Sequence, residues 1–285
     1  GIGENVPPFL RITGRVRKRH LDKRAVEQMV KACWAMKERE RNKDPLSSYL
    51  AHFLAKRYEG DQALIAEWGY NLVSGLERYS YDADCDLFRK VLAGELPEQV
   101  FRDQGLALRK LQEDIVKTDR DEHTGTQKGL ISKQGLMSVI AAIAPLKSKE
   151  STRELEEALF AEVGSSTVID YIKLFKDDAN GNQGRFAESF RDQHLEETIA
   201  YIEELENAIL AKGLECGDLH VSDLREVILA VDPGKPEDEL DEYIARGCNV
   251  PADQLHRLAD AFTIDAKLFS SRLRNGHLHR SSLRN

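Results

Sequence analysis

The sequence lacks features that mark several classes of protein. Its 285 residues include only 8 prolines and 4 cysteines. They contain no run of about 20 apolar residues, the length that an α-helix needs to cross a bilayer, so we expect no contact with a membrane. The cysteines are scattered without close pairs, which is typical of reduced thiols in a cytosolic compartment.

Motifs of catalysis are also missing. The sequence contains neither a glycine-rich phosphate loop nor the Gly-x-Ser-x-Gly turn that presents a nucleophilic serine. Cys216, His220, Cys248 and His256 have a spacing that matches no compact zinc site. The sequence therefore predicts a protein that is not an enzyme, with no catalytic residue, cofactor, metal or small-molecule substrate.

Charge is unevenly distributed along the chain. The formal net charge is −8, with 41 Lys and Arg against 49 Asp and Glu, yet both ends are basic. We predict that these ends bind an acidic partner, through Arg15, Arg17, Lys18, Arg19, Arg272 and Arg274. We expect His277 and His279, which lie in the C-terminal basic tail, to be solvated.

The main positive feature of the sequence is the spacing of its apolar residues, which is that of α-helices. Its longest segment, residues 185–213, has an apolar stripe at spacings of three to five. It predicts one helix of about 43 Å, with Gly213 as its C-cap. We expect Ile199 and Ile202 to be at least partly buried, and the acidic pairs at 196–197 and 203–204 to face water.

Four segments after residue 107 share a helix–loop–helix layout that suggests EF-hands. An EF-hand loop has twelve residues, with glycine at position 6 and a bidentate Glu at position 12; an apolar residue at position 8 pairs the strands. Gly129 and Gly217 fall at position 6. The residues at position 8 are Ile131, Ile169, Leu219 and Ile264. The spacing predicts that the first two pair with each other, and that the last two do the same.

The residues at position 12 do not suit calcium. They are Gly135, Lys173, Asp223 and Leu268. Because bound Ca²⁺ takes six to eight oxygen ligands, including a bidentate carboxylate, only Asp223 offers a suitable group. Asp119 lies five residues ahead of the first ligand position of its loop. We therefore expect four structural loops that hold no metal.

Residues 107–275 resemble the calmodulin-like EF-hand superfamily. The resemblance rests on the helix–loop–helix spacing and on the Ile-Asp-Tyr and Ile-Asp-Ala segments at 169–171 and 264–266. It implies an all-α fold in which an N-terminal helical domain precedes two degenerate EF-hand pairs joined by a long helix. The expected divisions are a basic extended segment (1–21), a helical domain (22–106), the first pair (107–184), the linking helix (185–213), the second pair (214–275) and a basic tail (276–285).

Three stretches, residues 6–20, 67–88 and 191–204, resemble EF-hand-like proteins of the ciliary axoneme. This second resemblance implies a non-catalytic structural or adaptor protein of the cytoplasm and cytoskeleton, in a cilium or flagellum. Its partners would be other proteins, such as tubulin or axonemal complexes. One alternative is a calcium-sensing regulatory protein. Another is a nucleic-acid-associated protein that uses the basic N-terminus, although no aromatic residues interleave with that basic run as base stacking requires.

Overall fold

The structure is a computed structural model that describes residues 2–3, 6–119, 127–178, 182–257 and 262–281. Within these ranges the chain forms 12 α-helices, two 3₁₀-helices and four very short strands. The predicted all-α fold is confirmed. None of the described helices combines the length and apolarity needed to cross a membrane. The chain divides into two compact units, Gly1–Glu98 and Gln99–Asn285.

In its described residues, the regular elements of the first unit are all helices. Its elements are a 3₁₀-helix at Pro8–Leu10, α1 (Lys23–Arg39), α2 (Leu46–Arg57), α3 (Gln62–Arg78) and α4 (Ala83–Leu92). Carboxylates begin three of these helices: Asp22, Asp61 and Asp82 accept hydrogen bonds from backbone N–H groups of the first turns of α1, α3 and α4. Such N-caps satisfy donors that have no partner within the helix.

The second unit contains eight α-helices and the four strands in its described residues. They are α5 (Gln99–Asp119), β1 (Leu130–Ser132), α6 (Lys133–Ile143), α7 (Lys149–Val163), β2 (Val168–Asp170), α8 (Tyr171–Leu174), α9 (Arg185–Cys216), β3 (Leu219–His220), α10 (Val221–Val231), α11 (Glu237–Cys248), β4 (Thr263–Ile264) and α12 (Ala266–Leu273). A 3₁₀-helix, Ala252–Arg257, precedes β4. We call α5–α8 the first pair, and α10–α12 with the C-terminal half of α9 the second pair.

The strands pair in the predicted register. β1 is antiparallel to β2, with Ile131 opposite Ile169, and β3 is antiparallel to β4, with Leu219 opposite Ile264. The glycines predicted at loop position 6 also have the expected backbone, because φ is +74° at Gly129 and +80° at Gly217. Positive φ costs glycine little and other residues more.

Helix α9 serves both pairs. Its 32 residues extend for about 48 Å. Phe186 and Phe190 lie in the core of the first pair, whereas Tyr201 and Glu206 bind side chains of the second pair and the residues that follow it. The expected burial is confirmed: Ile202 is buried and Ile199 half-buried, while the acidic residues at 196–197 and 203–204 are exposed.

The predicted C-cap of α9 is wrong. Gly213 lies inside the helix, where a Cβ atom would collide with the Cβ of Ala266 on α12. A glycine is therefore needed there for close packing between two helices. Gly217 ends the helix instead, because its backbone angles, φ 80° and ψ −124°, are ones that glycine tolerates and other residues strain to adopt.

Candidate functional site

The N-terminal basic run lies in an extended segment beside α3 in the first unit. The side chain of Asn71 fixes this segment: its Oδ1 accepts from Arg19 N at 2.7 Å, and its Nδ2 donates to Arg17 O at 2.9 Å. Asn71 is only 5% exposed. Because buried hydrogen bonds of this kind are costly to leave unmade, the segment has a defined path over the helix.

The cations of this run have different surroundings. Arg19 is half-buried; it forms an ion pair with Glu67 and lies 5.0 Å from the ring centroid of Trp68. Arg15, Arg17 and Lys18 are exposed. Of the four N-terminal residues predicted to bind a partner, three are therefore accessible and the fourth stabilises the segment.

The predicted C-terminal cations lie against the protein itself. Arg274 forms an ion pair with Glu206 of α9, and the hydrogen bond between them raises the pKa of the guanidinium. Arg272, in the last turn of α12, is half-buried. Arg280 pairs with Glu204 and lies 5.1 Å from the ring centroid of Tyr201. Two of these three arginines, Arg274 and Arg280, thus form ion pairs with glutamates of α9.

The side chains of His277 and His279 are 49% and 40% exposed, as expected of solvated residues, but both imidazoles also have partners in the protein, Asp103 and Glu239. Residues 277–281, which we call the C-terminal strap, bind to the second unit. His277 Nδ1 lies 2.8 Å from Asp103 Oδ2 of α5, and this hydrogen bond raises the pKa of the imidazole. Leu278, between the two histidines, is 3% exposed. The burial of Leu278 and the contacts of His277 and His279 on either side of it hold the strap in place.

A buried ion pair lies beneath the strap. The side chains of Asp232 and Lys235 are 2% and 0% exposed, and Lys235 Nζ lies 3.2 Å from Asp232 Oδ2. The strap supplies further partners, because Lys235 Nζ donates to His279 O at 2.6 Å and Ser281 N donates to Asp232 Oδ2 at 2.8 Å. Buried charges need such additional hydrogen bonds to offset their lost hydration.

A cavity of about 470 Å³ lies between the α6–α7 linker, the middle of α9 and the strap. Its four charged side chains form two ion pairs, one between Lys147 and Glu197 at 2.8 Å and one between Arg280 and Glu204. Burial lowers the pKa of His194 in its wall. The rest of the lining is mostly apolar: Ile143, Ala144, Pro145, Leu146, Ala200 and Tyr201.

A carboxylate closes the loop of the first pair. Asp119 Oδ2 accepts hydrogen bonds from Lys128 N and Gly129 N, both at 2.8 Å, and from Tyr171 OH at 2.9 Å. Burial alone would raise the pKa of Asp119, but the hydrogen bonds from Tyr171 and the backbone lower it. Burial and the same carboxylate raise the pKa of Tyr171 to about 12. Asp119 thus joins the end of α5 to the residues just before β1 and to the first residue of α8.

Two lysines of the second unit have buried side chains that were not identified from the sequence. Lys147 lies in the α6–α7 linker, 5.6 Å from the ring centroid of Phe190, and Lys235 lies in the α10–α11 linker, 5.6 Å from that of Tyr201. They are 88 residues apart, as are Ile131 and Leu219. The sequence did contain a signal for these lysines: Pro145 stands two residues before Lys147, and Pro233 stands two residues before Lys235.

Comparison with known proteins found two similar curated sequences. The chain is 26% identical over 254 residues to Translin-associated factor X-interacting protein 1 of Mus musculus, covering 88% of the chain and 35% of that protein. It is 24% identical over 263 residues to the Homo sapiens protein of the same name, covering 91% and 38%. The chain thus spans little more than a third of their length. No family model and no solved structure matches it.

Proposed function

We propose that this chain is a non-catalytic protein-binding module that acts as an adaptor. The basic segment of the first unit carries the proposal: Asn71 fixes its backbone while Arg15, Arg17 and Lys18 project into solvent. Three cations on a defined backbone form a surface that attracts an acidic partner and orients it. The relatives support the same class of function, because their name describes an interaction with another protein.

The partner we propose is a protein with an acidic surface, and translin-associated factor X is the first to test. Both relatives are named for binding it, and the proposal extends that property to this chain. A microtubule or axonemal partner, and a location in a cilium or flagellum, stay predictions of the earlier resemblance. They are compatible with the same basic segment.

We also propose that both helix–loop–helix pairs are degenerate EF-hands. Three features support this: the strand register, the positive φ of Gly129 and Gly217, and the helices on either side of each strand. The calcium-sensing alternative is disfavoured by Asp223, the acid at position 12, because its Oδ2 accepts from His220 N at 2.9 Å and caps α10. That oxygen is already used within the protein.

The experiment is a binding measurement with purified translin-associated factor X immobilised on a sensor surface. The wild-type chain is compared with the triple variant Arg15→Glu, Arg17→Glu and Lys18→Glu. We expect binding at least tenfold weaker for the variant, and wild-type binding that falls with salt, because exposed charges are screened over about 10 Å at 0.1 M.

The matched control reverses three other exposed cations of the same unit, Arg39, Arg41 and Lys43. It has the same net charge as the test variant, and we expect it to bind as wild type does. Equal loss in both triple variants would mean that net charge alone drives binding. No binding by wild type would reject translin-associated factor X as the partner.

A further inference from the structure

The first pair has an exposed apolar surface at the tip formed by β1 and β2, in the second unit and separate from the basic segment of the proposed function. Ile131 and Ile169 are 6% and 1% exposed. Because side chains alternate along a strand, the residues beside them face outward. Leu130 and Val168 are accordingly 45% and 50% exposed. They are diagonal neighbours across β1 and β2, a relation that places residues about 7–8 Å apart.

A third exposed apolar side chain adjoins these two. Ile172, in the first turn of α8, is 65% exposed. It lies over the backbone next to Leu130, since a Cβ atom on Gly129 would be 2.8 Å from Ile172 Cδ1. We call Leu130, Val168 and Ile172 the first-pair patch.

Lysines lie close to this patch along the chain. The two stretches that form the tip, residues 127–133 and 167–173, contain Lys128, Lys133 and Lys173 against one acid, Asp170. Lys128 and Lys173 are exposed, and Lys173 Nζ lies 3.0 Å from Asp170 Oδ2. Asp119, whose Oδ2 accepts from Lys128 N and Gly129 N, adds a second acid. With three lysines against two acids, the described residues of the tip combine three apolar side chains with a net charge of +1.

The second pair shows that the fold does not need apolar residues at these positions. With the strands in the same register, the equivalents of Leu130, Val168 and Ile172 are Asp218, Thr263 and Lys267. All three are exposed, as their counterparts are. The exposed apolar residue of the second tip, Leu268, stands where the first pair has Lys173.

The charge of the second tip is opposite in sign. The stretches equivalent to those of the first tip, residues 215–221 and 262–268, contain Glu215, Asp218 and Asp265 against one lysine, Lys267. Two tips with one backbone plan thus differ in both polarity and charge. Packing within the pair does not account for the difference.

The first-pair patch is also held in a fixed position. The three hydrogen bonds to Asp119 anchor Lys128 and Gly129, just before β1, and the side chain of Tyr171, the first residue of α8. A surface organised before binding loses less conformational entropy when a partner arrives. Exposed apolar patches rimmed by polar groups commonly mark sites of protein interaction.

We propose that the first-pair patch is a docking surface for an acidic segment of a partner protein. Apolar side chains of that segment pack on Leu130, Val168 and Ile172, and its carboxylates lie against the lysines of the tip. The excess of lysine at the tip selects an acidic segment over a neutral or basic one. A short segment fits better than a second folded domain, because three side chains are far smaller than the surface, about 1,200–2,000 Å², of a stable interface.

The test selects peptides on the full chain. A phage library of random 16-residue peptides is selected on wild type and counter-selected on Leu130→Asp, Val168→Thr, Ile172→Lys, which carries the residues of the second tip. Enriched peptides are then measured by fluorescence polarisation. We expect them to be acidic with at least two large apolar residues, and to bind the variant at least tenfold more weakly. Lys128→Glu with Lys133→Glu should give a similar loss.

The matched control places the same residue types on the other tip: Asp218→Leu, Thr263→Val, Lys267→Ile. It should bind the selected peptides as wild type does, and all variants should keep the wild-type urea midpoint. Failure to enrich any peptide, enrichment of basic peptides, or equal binding by wild type and the first variant would each overturn the proposal. So would wild-type self-association, measured by sedimentation, that the first variant abolishes, because the occupant would then be a second copy of the chain.

Discussion

The two helix–loop–helix pairs have the same strand register but are held together by different chemistry. In the first pair a carboxylate, Asp119, binds two backbone N–H groups and a tyrosine hydroxyl. The residue 88 positions later, Asn207, is exposed and lies within α9, nine residues before that helix ends. The second pair is instead stabilised by the buried ion pair of Asp232 and Lys235 and by the C-terminal strap, which follows the helix–loop–helix segments in the chain. The same backbone plan is thus stabilised in two ways by the chain's own polar groups.

The linker lysines make this difference measurable. Lys147 is 4% exposed, but its partner Glu197 is 44% exposed, so the carboxylate keeps much of its hydration. The partner of Lys235, Asp232, is 2% exposed. Because the cost of losing a partner depends on how far the remaining charge is buried, these two lysines should differ sharply in their contribution to stability.

The largest expected effect is that of Lys235→Met. It leaves Asp232 buried without its cation, which should lower the free energy of unfolding by about 3–5 kcal/mol. Lys147→Met should lower it by about 1 kcal/mol or less, because Glu197 is hydrated. Urea unfolding followed by circular dichroism measures both. The double variant Lys235→Met, Asp232→Asn should recover part of the loss, and equal costs for the two lysines would contradict the comparison.

The next effect concerns α9, which the two pairs share. Thr198 is buried near its middle, where its Oγ1 donates to His194 O at 2.8 Å. Thr198→Pro removes a backbone donor and clashes with the preceding turn, which should cost about 3 kcal/mol. Thr198→Ala, the control, should cost about 1 kcal/mol. Calorimetry is the measurement. Unchanged melting of the proline variant would show that the two pairs do not depend on a continuous helix.

A smaller effect should separate the two loops. Asp119→Ala removes three hydrogen bonds from a half-buried carboxylate and should cost about 1.5–3 kcal/mol, with faster hydrogen exchange at Lys128 N and Gly129 N. Asn207→Ala, which changes an exposed residue in the half of α9 that belongs to the second pair, should be neutral. Similar losses in both variants would mean that Asp119 has no special role.

The pH dependence of this loss has a definite sign. The pKa of Asp119 is lowered in the folded protein, so its stabilisation is complete above the unfolded value, about 3.9. It disappears as the pH falls through the lowered folded value. The difference between wild type and Asp119→Ala should therefore be full at pH 7 and shrink in acid. A constant difference down to pH 2 would contradict this account.

The smallest expected effect is that of calcium. At position 12 the first pair offers Gly135 and Lys173, and the second pair offers Asp223 and Leu268. Asp223 already caps α10. We expect no heat of binding on titration with about 10 µM Ca²⁺, a concentration within the range of sensor EF-hands. A stoichiometric exotherm would restore the calcium-sensing alternative, and Asp223→Ala would show which pair is responsible.

The structural features that could be predicted from the sequence are those that depend on local periodicity. The strand register follows from apolar residues at position 8, and the start of α9 at Arg185 follows from its apolar stripe. Contacts between distant parts of the chain leave no such signal. Arg274 meets Glu206 across 68 residues, and Leu278 is a single apolar residue in a basic segment. Gly213 was misassigned because close helix packing and helix termination both call for glycine.

The pairing of His277 with Asp103 spans 174 residues. His277 follows Lys235 by 42 residues, so synthesis at about 5–20 residues per second adds it roughly 2–8 s later. During that interval the ion pair of Asp232 and Lys235 lacks the hydrogen bonds that the strap provides. The pair therefore obtains its full set of partners only after the strap has been synthesised.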